Sequence, residues 1–219
     1  MGNYDDKLPL SHATFEVAGV LIRKKVTRHI DKDDIAVLRG IVAVRVGDDL
    51  IETRIYIKEY LNNIRNKQYD IAIETLKQVE QGEGILISGR YSPATYWSKL
   101  ANKVISGQHQ FHAEDFQILV AYDPAAIVQM DFYPRKEIDS SVKGYINTRR
   151  GLEPVKLQTI MKFDCDSIYS VQAAIRSKEH RYELELMSYT KLSKQYDIRT
   201  LKKAESDYRK RLDEISTGK

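Results

Sequence analysis

Cysteine is nearly absent: Cys165 stands alone in 219 residues. No intramolecular disulfide and no multi-cysteine metal site can form, which fits a reducing compartment. Long apolar runs are missing too, and nothing approaches the roughly 20 residues of a membrane-spanning helix. The opening "MGNYDDKLPLSH" is acidic and lacks an apolar core of signal-peptide length, and the pattern for myristoylation at Gly2 fails. The chain therefore reads as soluble and cytoplasmic. Neither sign of charge dominates: 35 Lys and Arg stand against 31 Asp and Glu, a net charge of +4. That balance is too mild to identify a polyanionic ligand by itself. Catalytic signatures are also lacking, with no Walker-type phosphate loop, G-x-S-x-G elbow or H-E-x-x-H pair. His109 and His112 in "HQFH" are three apart, so on a strand they face opposite sides and do not share a metal. "GDD", residues 47–49, is explained by a turn, and Asp166 of "DCD" by a helix cap. No enzyme activity, cofactor or metal is expected.

What is present can build a core. Hydrophobic residues make up 42% of the chain and charged residues 30%, a globular balance for one large or two small domains. Lys and Arg equal Asp and Glu over residues 1–122, at 16 each, which leaves 35 − 16 = 19 against 31 − 16 = 15 in the remainder. The basic surplus therefore lies in the second half, where residues 191–219 hold 9 against 5.

The pattern from Phe15 is "FEVAGVLIRKKV", a polar break "TRHIDKDD", then "IAVLRGIVAVRV", a turn at Gly47, and "LIETRIYIKEY". This predicts one strand, then a two-stranded hairpin. "NKQYDIAIETLKQVEQGEG" predicts a short amphipathic helix carrying Ile71, Ala72, Leu76 and Val79 and stopped by Gly82. Strands resume in "ILISGRY" and, after an insertion, in "QFHAEDFQILVAY". Three strands, a helix and two strands is the element order of an OB-fold barrel. "GEGILISGRYSPATYW", followed by "GQHQFHAEDFQILV", resembles the fourth and fifth strands of the bacterial and phage type of single-stranded DNA-binding protein, and "VAGVLIRK" resembles its first strand. The resemblance covers about residues 15–121. It implies an OB-fold that binds single-stranded DNA. That family usually ends in a flexible acidic tail that recruits partners, whereas residues 193–219 read as basic and helical, so recruitment by an acidic tip is not expected.

Residues 123–190 partly echo the first half. At a constant offset Gly40 aligns with Gly144, Arg45 with Arg149, Gly47 with Gly151 and Lys58 with Lys162. "DSIYSVQAAIRSK" has helix-like spacing at Ile168, Val171 and Ile175, and "HRYELELMSYTK" alternates as a strand. The expected fold class is mainly β with α. It comprises an N-terminal arm (1–14), an OB-fold barrel (15–122), a smaller OB-like or α+β unit (123–190) and a basic C-terminal helix (191–219).

Alternation also assigns candidate binding residues. Thr53, Ile55 and Ile57 point inward, so Arg54, Tyr56, Lys58 and Tyr60 point outward. On the preceding strand Arg39 and Arg45 face out beside Ile41 and Ala43. Strands two and three carry nucleic acid in OB-folds; cations attract phosphate, and aromatic rings stack on unpaired bases. A solvated face would show the same residue types. The insertion adds Tyr91, Tyr96, Trp97, Lys99 and Lys103 as a mobile loop able to close on a strand, with burial of Trp97 as a loop anchor the alternative. Arg23 to His29, "RKKVTRH", falls in the loop after the first strand and offers phosphate contacts. Ile198, Leu201, Ala204, Tyr208, Leu212 and Ile215 form one apolar helical stripe. It either docks on its own domain or pairs with a second copy or a replication or recombination protein, and Arg209 to Arg211 lie beside it.

These readings predict non-catalytic, sequence-tolerant binding of single-stranded DNA in replication, recombination or repair, with a phage or mobile element as the expected source. An RNA-binding OB module and an adaptor assembling through the C-terminal helix are the alternatives.

Overall fold

Alternation is cleanest in Asp49–Lys58, where Ile51, Thr53, Ile55 and Ile57 are buried while Leu50, Arg54 and Tyr56 are exposed. A strand with one apolar side is stable only when that side is covered. Here the cover is a barrel. The computed structural model describes residues 8–59, 64–178, 181–192 and 198–217. The first elements are β1 (Ala13–Ile30), β2 (Ala36–Val46), β3 (Asp49–Lys58), α1 (Ile64–Gln78) and β4 (Gly84–Tyr91). A hairpin of β5 (Ala94–Ser98) and β6 (Lys103–Gln108) precedes β7 (Phe111–Leu119). Strands β1, β2, β3, β7 and β4 pair in that order, and a β1–β4 pairing closes the ring. Only the β3–β7 contact is parallel, and the ring is an OB-fold barrel.

A second ring repeats the order. It contains β8 (Ala125–Ile138), β9 (Ser141–Thr148), β10 (Gly151–Gln158), β11 (Tyr169–Lys178) and β12 (Arg181–Lys191), followed by helix α2 (Ile198–Thr217). The order is β8, β9, β10, β12, β11, closed by β11–β8, and β10–β12 is its parallel pair. No helix intervenes between β10 and β11. The rings meet along their first strands: Ala13 to Ala18 of β1 pair antiparallel with Met130 to Ala125 of β8. One apolar core therefore runs from Phe15, Ile51 and Phe116 to Met130, Phe132 and Leu157.

Two glycines explain how the first two strands of each ring approach. A Cβ on Gly40 would meet the Lys25 carbonyl at 2.1 Å, and one on Gly144 the Tyr133 carbonyl at 2.2 Å. The aligned Gly40 and Gly144 thus mark the same close contact in both barrels.

Several expectations are corrected. Residues 169–178 form a strand, not a helix, because Tyr169, Val171, Ala173 and Ile175 are buried with period two. Asp166 therefore caps nothing; Asp164 instead accepts the Asp166 and Ser167 bonds and pairs with Lys191 at 2.8 Å. Arg23 to His29 lie within β1, which continues to Ile30 opposite β2. Lys24 Nζ donates to the Val79 carbonyl at 2.6 Å and to that of Leu76, so it caps the end of α1. On α1 the buried side is Tyr69, Ala72 and Leu76, with Val79 just beyond, whereas Ile71 is exposed. Ala43 faces outward but is buried, since its neighbours across β1 and β3, Arg23 and Glu52, form an ion pair at 2.5 Å.

Candidate nucleic-acid interface

The outer face of β2 and β3 is built by register. Arg39 lies opposite Tyr56 and Ile41 opposite Arg54, and all four are exposed, Tyr56 at 55%. Arg45 is exposed further along β2. Arg39, Arg45 and Arg54 make no ion pair among the described residues, so their charge is available to a ligand. Lys58 differs. Its Nζ lies 2.6 Å from Asp31 Oδ2, and Asp31 also accepts the backbone N–H groups of Asp33 and Ile35. The Lys58 bond, helped by those N–H groups, holds the Asp31 carboxyl at about 2, and Asp31 in turn raises Lys58. Lys58 therefore fastens the connection between β1 and β2 and contributes little free charge. Tyr60 lies outside the described residues.

The basic surface continues past β3. Arg54 is the register partner of His112 on β7, and His112 that of Arg90 on β4. Arg90 is exposed and shares its charge with Glu114 at 2.5 Å. Beyond lies a groove whose far wall is the β9–β10 turn: Arg90 and His112 face Arg149 and Arg150 across it, and Tyr56 joins Arg90 and Arg149 in its continuation. Burial lowers the His112 pKa first, and the charges of Arg90 and Arg54 lower it further, with Arg150 adding to them. A neutral imidazole among guanidinium groups marks a locally positive potential. Arg90, His112, Arg149 and Arg150 were not among the residues expected from sequence. The aligned pair Arg45 and Arg149 was the available signal, but the alignment does not show that the turn of one barrel reaches the wall of the other.

The insertion folds as a hairpin. β5 and β6 pair as a ribbon that leans on the second barrel, where Thr95 Oγ1 donates to Glu153 at 2.7 Å and Ser106 and Tyr208 share a hydrogen bond of 2.6 Å. Tyr96, Trp97 and Lys99 are exposed on it, Trp97 at 39%, and Tyr96 donates to Gln108. Tyr91 does not join them. Its ring is 2% exposed, packs 5.8 Å from that of Phe111, and its hydroxyl lies 2.6 Å from His109 Nδ1. Burial raises the Tyr91 pKa and lowers that of His109 to about 4. Tyr91 belongs to the core and offers no ring to a base, and His109 is half-buried beside it.

The middle of the C-terminal stripe is occupied by its own chain: Leu201 and Tyr208 are buried with Leu8, Tyr133, Leu152 and Ile168, and Ala204 and Leu212 pack against them. The side chain of Ile198 lies outside the described residues. Arg211 is not a surface cation, because it pairs with buried Glu153 at 3.0 Å and donates to the carbonyls of Leu152 and Arg150. Among the described residues no cluster of His, Cys, Asp or Glu is arranged to hold a metal. No helix among them is long and apolar enough to cross a membrane.

Comparison with solved structures places this geometry. The wild-type single-stranded DNA-binding protein of Thermus aquaticus superposes with a TM-score of 0.55, covering 86% of this chain and 97% of that one at 11% identity. A deletion mutant of the same protein gives 0.52, with 86% and 98% covered, also at 11%. The likeness is one of fold. It extends over both barrels, since 86% of the chain exceeds either alone. No protein-family model matches the sequence, and no curated protein matches it.

Proposed function

We propose that the protein binds single-stranded DNA without catalysis and with little sequence preference, protecting or presenting strands in replication, recombination or repair. The observation that carries this reading is the β2–β3 face, where exposed Tyr56 lies between the unpaired charges of Arg39 and Arg54. A ring on a cationic strand surface meets the two needs of an unpaired strand, a stacking surface for bases and counter-charge for phosphates. A duplex hides its base faces and offers such a ring nothing to stack on. The fold shared with a protein named for single-stranded DNA binding agrees with this reading. Trp97, Tyr96 and Lys99 stand on the hairpin as further contacts, and Tyr60 adjoins the same strand in sequence.

The test is fluorescence anisotropy of labelled oligo-dT at two salt concentrations, with duplex DNA and oligo-U as competitors. Salt-sensitive binding that duplex fails to displace is the expected result. Displacement by oligo-U at lower concentration than unlabelled oligo-dT would assign the site to RNA, and no binding at low salt would rule the function out.

A further inference from the structure

The second barrel keeps the strand order of the first but not its open face. Its β9–β10 surface, the counterpart of β2–β3, is covered by α2 and by the β5–β6 hairpin. The rings of Tyr145 and Tyr208 meet edge-on at 5.8 Å, Leu152 is 1% exposed under α2, and Glu153 is held by Thr95 and Arg211. What this barrel leaves open is the tip between β9 and β10. Arg149 and Arg150 are exposed there and make no side-chain ion pair among the described residues. The tip is also held in place. Arg211 donates to the carbonyls on either side of Gly151, those of Arg150 and Leu152, and is itself anchored by Glu153. Gly151 sits at φ +93°, a conformation that keeps the turn tight and that other residues resist.

We infer that the two barrels share one phosphodiester track, in which a strand stacked on Tyr56 passes Arg54 and Arg90 and is gripped from the opposite wall by Arg149 and Arg150. The second barrel contributes its turn and not its face. This rests on the nucleic-acid reading of the β2–β3 surface and adds a second jaw to it. The groove supplies the geometry: Arg90 and Arg149 line both the part that holds His112 and its continuation beside Tyr56. Among the described residues Glu114, already paired with Arg90, is the one acidic residue lining it. Arg211 acts as a positioning residue for the turn.

The experiment measures oligo-dT affinity against salt for the full chain, for Arg149→Ala/Arg150→Ala, and for Lys143→Ala/Lys156→Ala on the exposed rim of the covered face. Each phosphate contact contributes about 0.7 to the slope of log K against log salt for a single strand, so losing two should flatten the slope by about 1.4. Affinity should fall roughly tenfold at low salt. Arg149→Lys/Arg150→Lys should restore the slope, and all variants should melt with the parent because these side chains are exposed. The Lys143 and Lys156 variant should bind like the parent. If the parent binds and the arginine variant keeps its slope, or if the lysine variant loses slope instead, the shared track is wrong while the β2–β3 reading stands. Failure of the parent to bind overturns both.

Discussion

Tyr56 concentrates the binding argument in one side chain. If its ring stacks on a base, Tyr56→Ala should weaken oligo-dT binding by about 1 to 3 kcal/mol, whereas Tyr56→Phe should stay within a few-fold of the parent. Titration of the two variants separates stacking from hydroxyl bonding. Parity along β3 made Tyr56 legible in the sequence, and the same rule applied to β4 places Tyr91 inward with Ile85 and Ile87. The pairing of Lys58 with Asp31 was not legible, because a chain separation of 27 residues closes only when the connection folds back. His109 supplies a prediction about acid. Its folded pKa, about 4, is depressed by burial below the ordinary 6.5. The unfolded chain therefore binds the proton more readily, so the contribution of neutral His109 is full above pH 6.5 and declines as pH falls through 4. His112, also depressed, acts in the same direction. Urea midpoints should drop between pH 6.5 and 4 in the parent, and less steeply in His109→Gln.

Among the elements, glycines distinguish steric from conformational demand. Gly144→Ala forces a methyl against the Tyr133 carbonyl and the Phe132 ring, at 2.2 and 2.5 Å, and should cost about 3 kcal/mol or more. Gly47→Ala meets nothing within 4 Å, but its φ of +59° should still cost about 1 to 2 kcal/mol. Denaturant melts of the two variants should rank in that order. The element order of the first barrel was legible because α1 and the strands differ in period. β11 was misread because Ile168, Val171 and Ile175 fit a helical spacing by coincidence, while Tyr169 and Ala173 complete the period of two. The β5–β6 hairpin was unreadable as structure. Its anchors, Glu153 and Tyr208, lie 58 and 102 positions beyond their partners Thr95 and Ser106.

For the whole molecule, the joint between the barrels decides behaviour. β1 pairs over Thr14 to Ala18 with both β4 and β8, while β8 pairs over Ile127 to Met130 with both β1 and β11. Neither ring can open along these strands without disturbing the other. Scanning calorimetry should show one transition, with calorimetric and van't Hoff enthalpies in agreement; two resolved transitions would mean that the barrels melt separately. Nothing in the sequence specified this pairing, since backbone groups make it and almost any residue supplies them.

That last property bears on ancestry. A joint written in peptide groups survives substitution that would erode one written in side chains. Two halves descended from a single ancestor could drift until a few aligned letters, such as Gly40 with Gly144, remained of the kinship, while the backbone joint continued to hold them in partnership.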